Sequence, residues 1–234
     1  MVSALKLPAT RWGAFFSHLL LSFAILVVLS AFIAFVMFPG ALFSVAGGIE
    51  GIKIIAGVDM VLGPLLTLVI YNRAKPLKEL LRDISVIGLI QIAALSAGMY
   101  LVHQSRPAAV TYTFDQFHTT KVNEFEDGKP EGLHWFRPAY FNLQLPEDND
   151  EARSQMVEFE FSAPAARLRT DLYEPLQHQP AALEKQLRLS DEDGESIEQD
   201  CIVRTIATPF DTVDVCFDPV SFAFSKHTPT ESSE

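Results

Sequence analysis

One apolar stretch, Gly57-Val58-Asp59-Met60-Val61-Leu62-Gly63-Pro64-Leu65-Leu66-Thr67, holds an acid, a glycine and a proline within a few turns of what reads as a helix. In a bilayer a carboxylate costs roughly 2.5–3.5 kcal/mol even on insertion scales, so Asp59 has to face other helices and either pair or hold a proton. Gly63, four residues on, shares its face and allows close helix approach, while Pro64 cannot donate to the carbonyl of Met60 and should kink the helix. A freed carbonyl beside an acid makes a polar notch. A later apolar run offers a matching small face in Ala93, Ala94, Ala97 and Gly98, with Gln91 as its polar partner. For Gly63, Ala94 and Gly98 the plain reading is helix packing. Asp59 is different, because Ser or Thr would hold helices together at lower cost. Asp59, Gly63, Pro64 and Gln91 are therefore the candidate partner-binding residues, with Asp59 recognising a partner's transmembrane helix.

Other chemistry is sparse. The two cysteines, Cys201 and Cys216, are too far apart for a Cys-x-x-Cys redox pair, and neither a zinc-ligand cluster, a glycine-rich phosphate loop nor a Gly-x-Ser-x-Gly elbow is present. The six histidines, His18, His103, His118, His134, His178 and His227, share no spacing that indicates a metal site or a proton relay. Asp191–Glu195 with Glu198 and Asp200 lacks the twelve-residue calcium-loop pattern and reads, like Glu147–Asp150, as a solvated turn. No catalytic residue, metal or cofactor is expected. A glycosidase-type acid pair would be recognisable only by its separation in space.

The element carrying Asp59 is the second of three apolar runs. Gly13–Phe38 has 26 residues without a charge, Ile54–Tyr71 follows, and Ile84–Val102 is the third; each is near the ~20 residues a transmembrane helix needs. The first exceeds a ~7–15-residue signal-peptide core, so it reads as a retained anchor although Ser44-Val45-Ala46 resembles a cleavage site. Counted from Ile54, Asp59 lies about 9 Å inside the outer end of its span, level with Ser96 and with Ser30 or Phe32. Pro39–Lys53 reads as a glycine-rich loop. Asn72–Asp83 is the other loop, with four basic residues, and Lys6 and Arg11 precede the first span. Retained Lys and Arg mark the cytoplasmic side, so the N-terminus (1–12) is cytoplasmic, residues 13–102 form a three-span domain, and the C-terminal domain (103–226) is periplasmic.

Charge and cysteine agree with that division. Residues 1–102 carry seven basic and four acidic side chains, a balance of +3, whereas the remaining 11 and 25 give −14. So acidic a domain repels nucleic-acid backbones and anionic lipid headgroups. Both cysteines fall in the domain assigned to an oxidising space, where a bridge would close a loop of about 15 residues and stabilise by roughly 3 kcal/mol. Short alternating runs such as Val110–Phe114, Met156–Phe161 and Asp214–Phe217 fit half-buried strands, and Pro180–Leu187 fits a short helix. The expected fold is α+β: a three-helix transmembrane bundle followed by a small antiparallel sheet with one or two helices. Cys201 should precede a strand Ile202–Thr208 and Cys216 should lie in its neighbour. The tail from His227 is expected to be disordered.

The run from Gly57 to Leu68, the basic Lys75-Pro76-Leu77-Lys78-Glu79-Leu80 loop and the Gln104-Ser105-Arg106-Pro107 exit of the third span resemble the TfpX/TfpZ family of type IV pilin accessory proteins. The resemblance implies an inner-membrane role in type IV pilus biogenesis, with pilin as partner, and supplies no catalytic residues. A pilin- or glycan-modifying enzyme is the alternative, but such enzymes usually need more spans or a nucleotide-binding domain. A sensor reading lacks a cytoplasmic module to receive its signal.

Overall fold

The computed structural model describes residues 8–113, 116–125, 130–143, 170–176, 197–198, 201–218 and 221–226. The expected strand at 156–161, the helix at 180–187, the acidic turn at 147–150, most of that at 191–200, and the tail lie outside them. The chain divides into two compact units, residues 1–33 with 49–102, and residues 34–48 with 103–234.

The first unit is helical. α1 (Arg11–Phe32) is started by Thr10, whose hydroxyl accepts the Gly13 N–H at 3.0 Å, and runs on through a π-helical turn, Ile33–Met37. Leu42–Val45 forms a short α2 in the connection that follows. The second long rod consists of α3 (Gly48–Gly57), a π-helical turn (Val58–Leu62) and α4 (Gly63–Ile70); α5 (Leu77–Ser105) is the third. Arg11–Met37, Gly48–Ile70 and Leu77–Ser105, of 27, 23 and 29 residues, are each long and apolar enough to cross a membrane. The second begins six residues before the expected Ile54. Gly48 and Gly51 read as loop punctuation, yet both are helical, and a Cβ on Gly51 would stand 3.0 Å from Val102 Cγ2, so that glycine serves close packing. Ala14, Tyr71 and Leu80 form a small core with Ile84, and the Tyr71 hydroxyl donates to the Pro8 carbonyl at 2.7 Å. In the second loop Lys75 Nζ lies 2.7 Å from Asp83 Oδ2.

The second unit is a curled mixed sheet, which corrects the expected antiparallel one. Its strands are β1 (Pro107–Thr113), β2 (Gln116–Lys121), β3 (Ala139–Leu143), β4 (Tyr173–Pro175), β5 (Ile197–Glu198), β6 (Cys201–Ala207), β7 (Thr212–Asp218) and β8 (Ala223–Lys226). The order is β4-β3-β1-β2-β6-β7-β8, with β5 on β6; β1–β3 and β2–β6 are parallel and the other pairs antiparallel. Alternating polarity reveals a strand but not the direction of its neighbour. β1 is buried on both faces, from Ala108 to Tyr112, as parallel-paired central strands are. Phe117, Phe217 and Phe224 meet with ring centroids 4.7–5.0 Å apart. Tyr140 of β3 reaches Phe222 and Phe224 although four strands separate β3 from β8, and that closure is the curl.

The segment between the first two rods belongs to this unit. The Ala41 N–H donates to the Phe224 carbonyl at 2.8 Å and the Thr208 hydroxyl to the Val45 carbonyl at 2.6 Å. Gly40 has φ +64°, and a Cβ there would lie 2.2 Å from the Phe224 carbonyl oxygen. Cys201 opens β6 rather than preceding it. It stands two residues before Val203, which is registered opposite Cys216, and no described cysteine is free.

Burial pushes the Tyr140 phenol up to about 12 from 10.0, while desolvation pulls Arg106 down to about 10 from 12.5. Between pH 10 and 12 the folded tyrosine keeps a proton that the unfolded chain has lost, so its contribution to stability falls as pH rises. Arg106 has the opposite sign, and a comparison of variants isolates the phenol. Tyr140→Phe should lose less stability than wild type from pH 10 to 12 in denaturant titrations; parallel curves would contradict this.

Candidate functional site: a polar node inside the helical unit

In the rod Gly48–Ile70, Asp59 has residues 48–58 before it and 60–70 after it, eleven on each side, and is only 6% exposed. Counted from Ile54 it would lie about six residues inside the outer end; the start of the rod at Gly48 puts it at the midpoint. Asp59 falls in the π-helical turn Val58–Leu62, which ends two residues before Pro64. Pro64 has no N–H for the carbonyl of Met60, and its ring crowds that carbonyl. A widened turn accommodates both defects without breaking the rod.

Three helices meet at Asp59. Gln91 of α5 donates from Nε2 to Asp59 Oδ1 at 3.0 Å, and its Oε1 lies 2.7 Å from Nε2 of His18 in α1. The other ring nitrogen, His18 Nδ1, is 2.5 Å from the Thr67 hydroxyl of α4, which also lies 3.0 Å from the Gly63 carbonyl. Gly63 makes this possible: a Cβ there would stand 1.9 Å from Gln91 Nε2. Asp59 Oδ2 is buried and has no hydrogen-bond partner.

Gln91 thus bridges Asp59 to His18, and the Thr67 hydroxyl sits between His18 Nδ1 and the Gly63 carbonyl, so the node is a continuous chain of hydrogen-bonding groups across the three rods. It contains no activated nucleophile aimed at open space, and the described residues hold no cluster of three or more metal-ligating side chains.

Of the four candidate residues, Asp59, Gly63 and Gln91 converge, while Pro64 is buried beside them and shapes the turn. Gly98 packs near Ile55, but Ala93, Ser96 and Ala97 face outward, so the small face of α5 is only partly used. His18 and Thr67 were missed. The signal was present: His18 is the basic interruption of the first apolar run, and Thr67 lies one turn from Gly63. Gly63→Ala should displace the Gln91 amide and destabilise the helical unit by about 1–3 kcal/mol, the range for overpacking. In a Gln91→Ala background the same change should be nearly neutral, and an equal loss in both backgrounds would refute the contact.

Comparison with known proteins gives this chain a context. The chain is 35% identical over 150 residues to the fimbrial assembly proteins of serogroups E1 and I of Dichelobacter nodosus, covering 62% of this chain and 58% of each relative. It is 38% identical over 98 residues to the fimbrial assembly protein of serogroups C1 and C2 of the same organism, covering 42% of this chain and 75% of that relative. The chain belongs to the fimbrial assembly protein family. It spans 58% of the length of the two serogroup E1 and I members. No family model and no solved structure matches it. The names of these relatives agree with the pilus-related resemblance read from the sequence.

Proposed function

We propose that this chain is a non-enzymatic accessory factor of type IV pilus biogenesis, of the TfpX/TfpZ kind, that engages pilin in the bacterial inner membrane through its three-helix unit and its periplasmic sheet domain. The observation that carries the reading is Asp59: a carboxylate in the middle of a membrane-length helix, with Oδ1 taken by Gln91 and Oδ2 unmatched, in a member of the fimbrial assembly family. A donor on a pilin transmembrane segment would satisfy Oδ2. Gly57, two residues earlier, leaves open space where a side chain would stand, since a Cβ there meets nothing within 4 Å. Asp59 with Gln91 is the recognition pair, and Gly63 and Pro64 set the shape around it.

Three crossings put the first connection and the C-terminal domain on one side of the membrane. Their joint packing in one unit supports that topology, and the four basic residues of Asn72–Asp83 support a cytoplasmic second loop. Cys201 and Cys216 form a disulfide that staples β6 to β7. Alkylation without reductant should then leave the intact mass unchanged; incorporation of alkyl groups before reduction would exclude the bridge.

The functional test is co-purification. Pilin should be recovered with wild type, more weakly with Asp59→Asn, whose amide presents a donor where Oδ2 accepts, and lost with Asp59→Leu together with surface pili. Equal recovery with Asp59→Leu and unchanged piliation on deletion would overturn both parts of the proposal.

A further inference from the structure

We infer that the loop between Gly132 and Arg137 is a bilayer-interface anchor, which lays Trp135 and Phe136 into the headgroup layer beside the exit of α5. The inference rests on the membrane-spanning reading of the helices. The two rings are 68% and 44% exposed, an unusual place for neighbouring large aromatics unless something apolar receives them.

The loop is held rigidly to the end of the apolar helix. His103, in the last turn of α5, stacks on Trp135 with centroids 5.4 Å apart and meets the edge of Phe136 at 6.0 Å, and its Nε2 donates to the Trp135 carbonyl at 2.9 Å. Arg106, 3% exposed, donates from its two terminal nitrogens to the carbonyls of His134 at 2.7 Å, Trp135 at 2.8 Å, and Arg137 and Pro107 at 3.2 Å. A buried guanidinium committed to main-chain oxygens is a clamp on the shape of this loop, and it fixes the indole within a few residues of where the third rod leaves hydrocarbon.

The identity of the receiving surface follows from the tryptophans. The chain has two. Trp12 is 60% exposed in the first turn of α1, and Trp135 is clamped to the last turn of α5. Indoles at the two ends of a membrane-spanning unit are what the aromatic belts of the two interfaces require. The −14 balance of residues 103–234 excludes attachment by charge to anionic headgroups, but it does not oppose burial of an indole.

Full-length protein in phosphatidylcholine vesicles tests this with two variants. Trp12→Phe leaves Trp135 as the sole reporter, and Trp135→Phe leaves Trp12. Phospholipids brominated near the headgroup should quench both reporters more strongly than lipids brominated near the chain ends, placing each indole roughly 15 Å from the bilayer centre, half the ~30 Å hydrocarbon thickness. Trp135 emission should be blue-shifted and shielded from iodide. Quenching of Trp12 with Trp135 unquenched and open to iodide would overturn the anchor while leaving the membrane reading intact. Failure of both reporters to respond to brominated lipid would overturn the membrane reading and the anchor with it.

Discussion

Replacing Gln91 by leucine should destabilise the helical unit by about 3 kcal/mol, because a buried donor or acceptor left without its partner costs roughly 1–3 kcal/mol, and more when charged. Gln91 is the only side chain that joins α1 to Asp59 in the described node, so its loss strands Asp59 Oδ1 and His18 Nε2 together. Detergent-micelle unfolding would read the loss. The informative comparison is the triple variant His18→Leu, Asp59→Leu, Gln91→Leu. Replacing a whole buried polar set by apolar residues of similar volume is often neutral or stabilising, so the triple variant should recover most of the stability while remaining without pili. Recovery of stability and of pili together would make the node helix glue and nothing more.

Gly40→Ala should cost the sheet domain about 3 kcal/mol. The left-handed backbone conformation costs a non-glycine residue roughly 1–2 kcal/mol, and overpacking against a neighbour adds typically 1–3 kcal/mol. Here the neighbour is the Phe224 main-chain carbonyl, 2.2 Å from the added Cβ, which cannot rotate aside as a side chain can. The loss should appear as a lowered unfolding midpoint of the sheet and as detachment of residues 34–48 in hydrogen exchange, with the Ala41 amide, bonded to Phe224, exchanging first. Gly57→Ala is the counterpart. Its Cβ meets nothing, and it should leave stability unchanged or raise it by up to about 1 kcal/mol through helix propensity. Equal effects at the two positions would refute the packing described for Gly40.

The three apolar runs, the strands around Val110, Ile202 and Val215, and the shared face of Asp59 and Gly63 were legible in the sequence, because hydrophobic periodicity and the cost of a buried acid are local facts. The depth of Asp59 was not. Gly48 and Gly51 punctuate a loop by propensity, but the contact of Gly51 with Val102 overrides propensity and starts the rod six residues earlier. Counted from Ile54, Ser96 and Ser30 or Phe32 stand level with Asp59; in the structure Gln91 bonds Asp59 and carries the contact on to His18. Strand direction was equally out of reach, since β1 pairs in parallel with β3 some 30 residues later, a choice made by burial of both faces rather than by alternation. The place of residues 34–48 depends on two glycines with positive φ, which look like any flexible loop until their neighbours are known.

The central claim, that a second polypeptide docks against Asp59 from within the bilayer, is tested most directly by photocrosslinking in living cells from Val61, an exposed position two residues from Asp59. The account predicts an adduct with pilin that forms beside wild-type Asp59 and disappears in Asp59→Leu at equal protein level. An adduct of the same yield in both backgrounds, or crosslinks confined to lipid and to the chain's own helices, would contradict it.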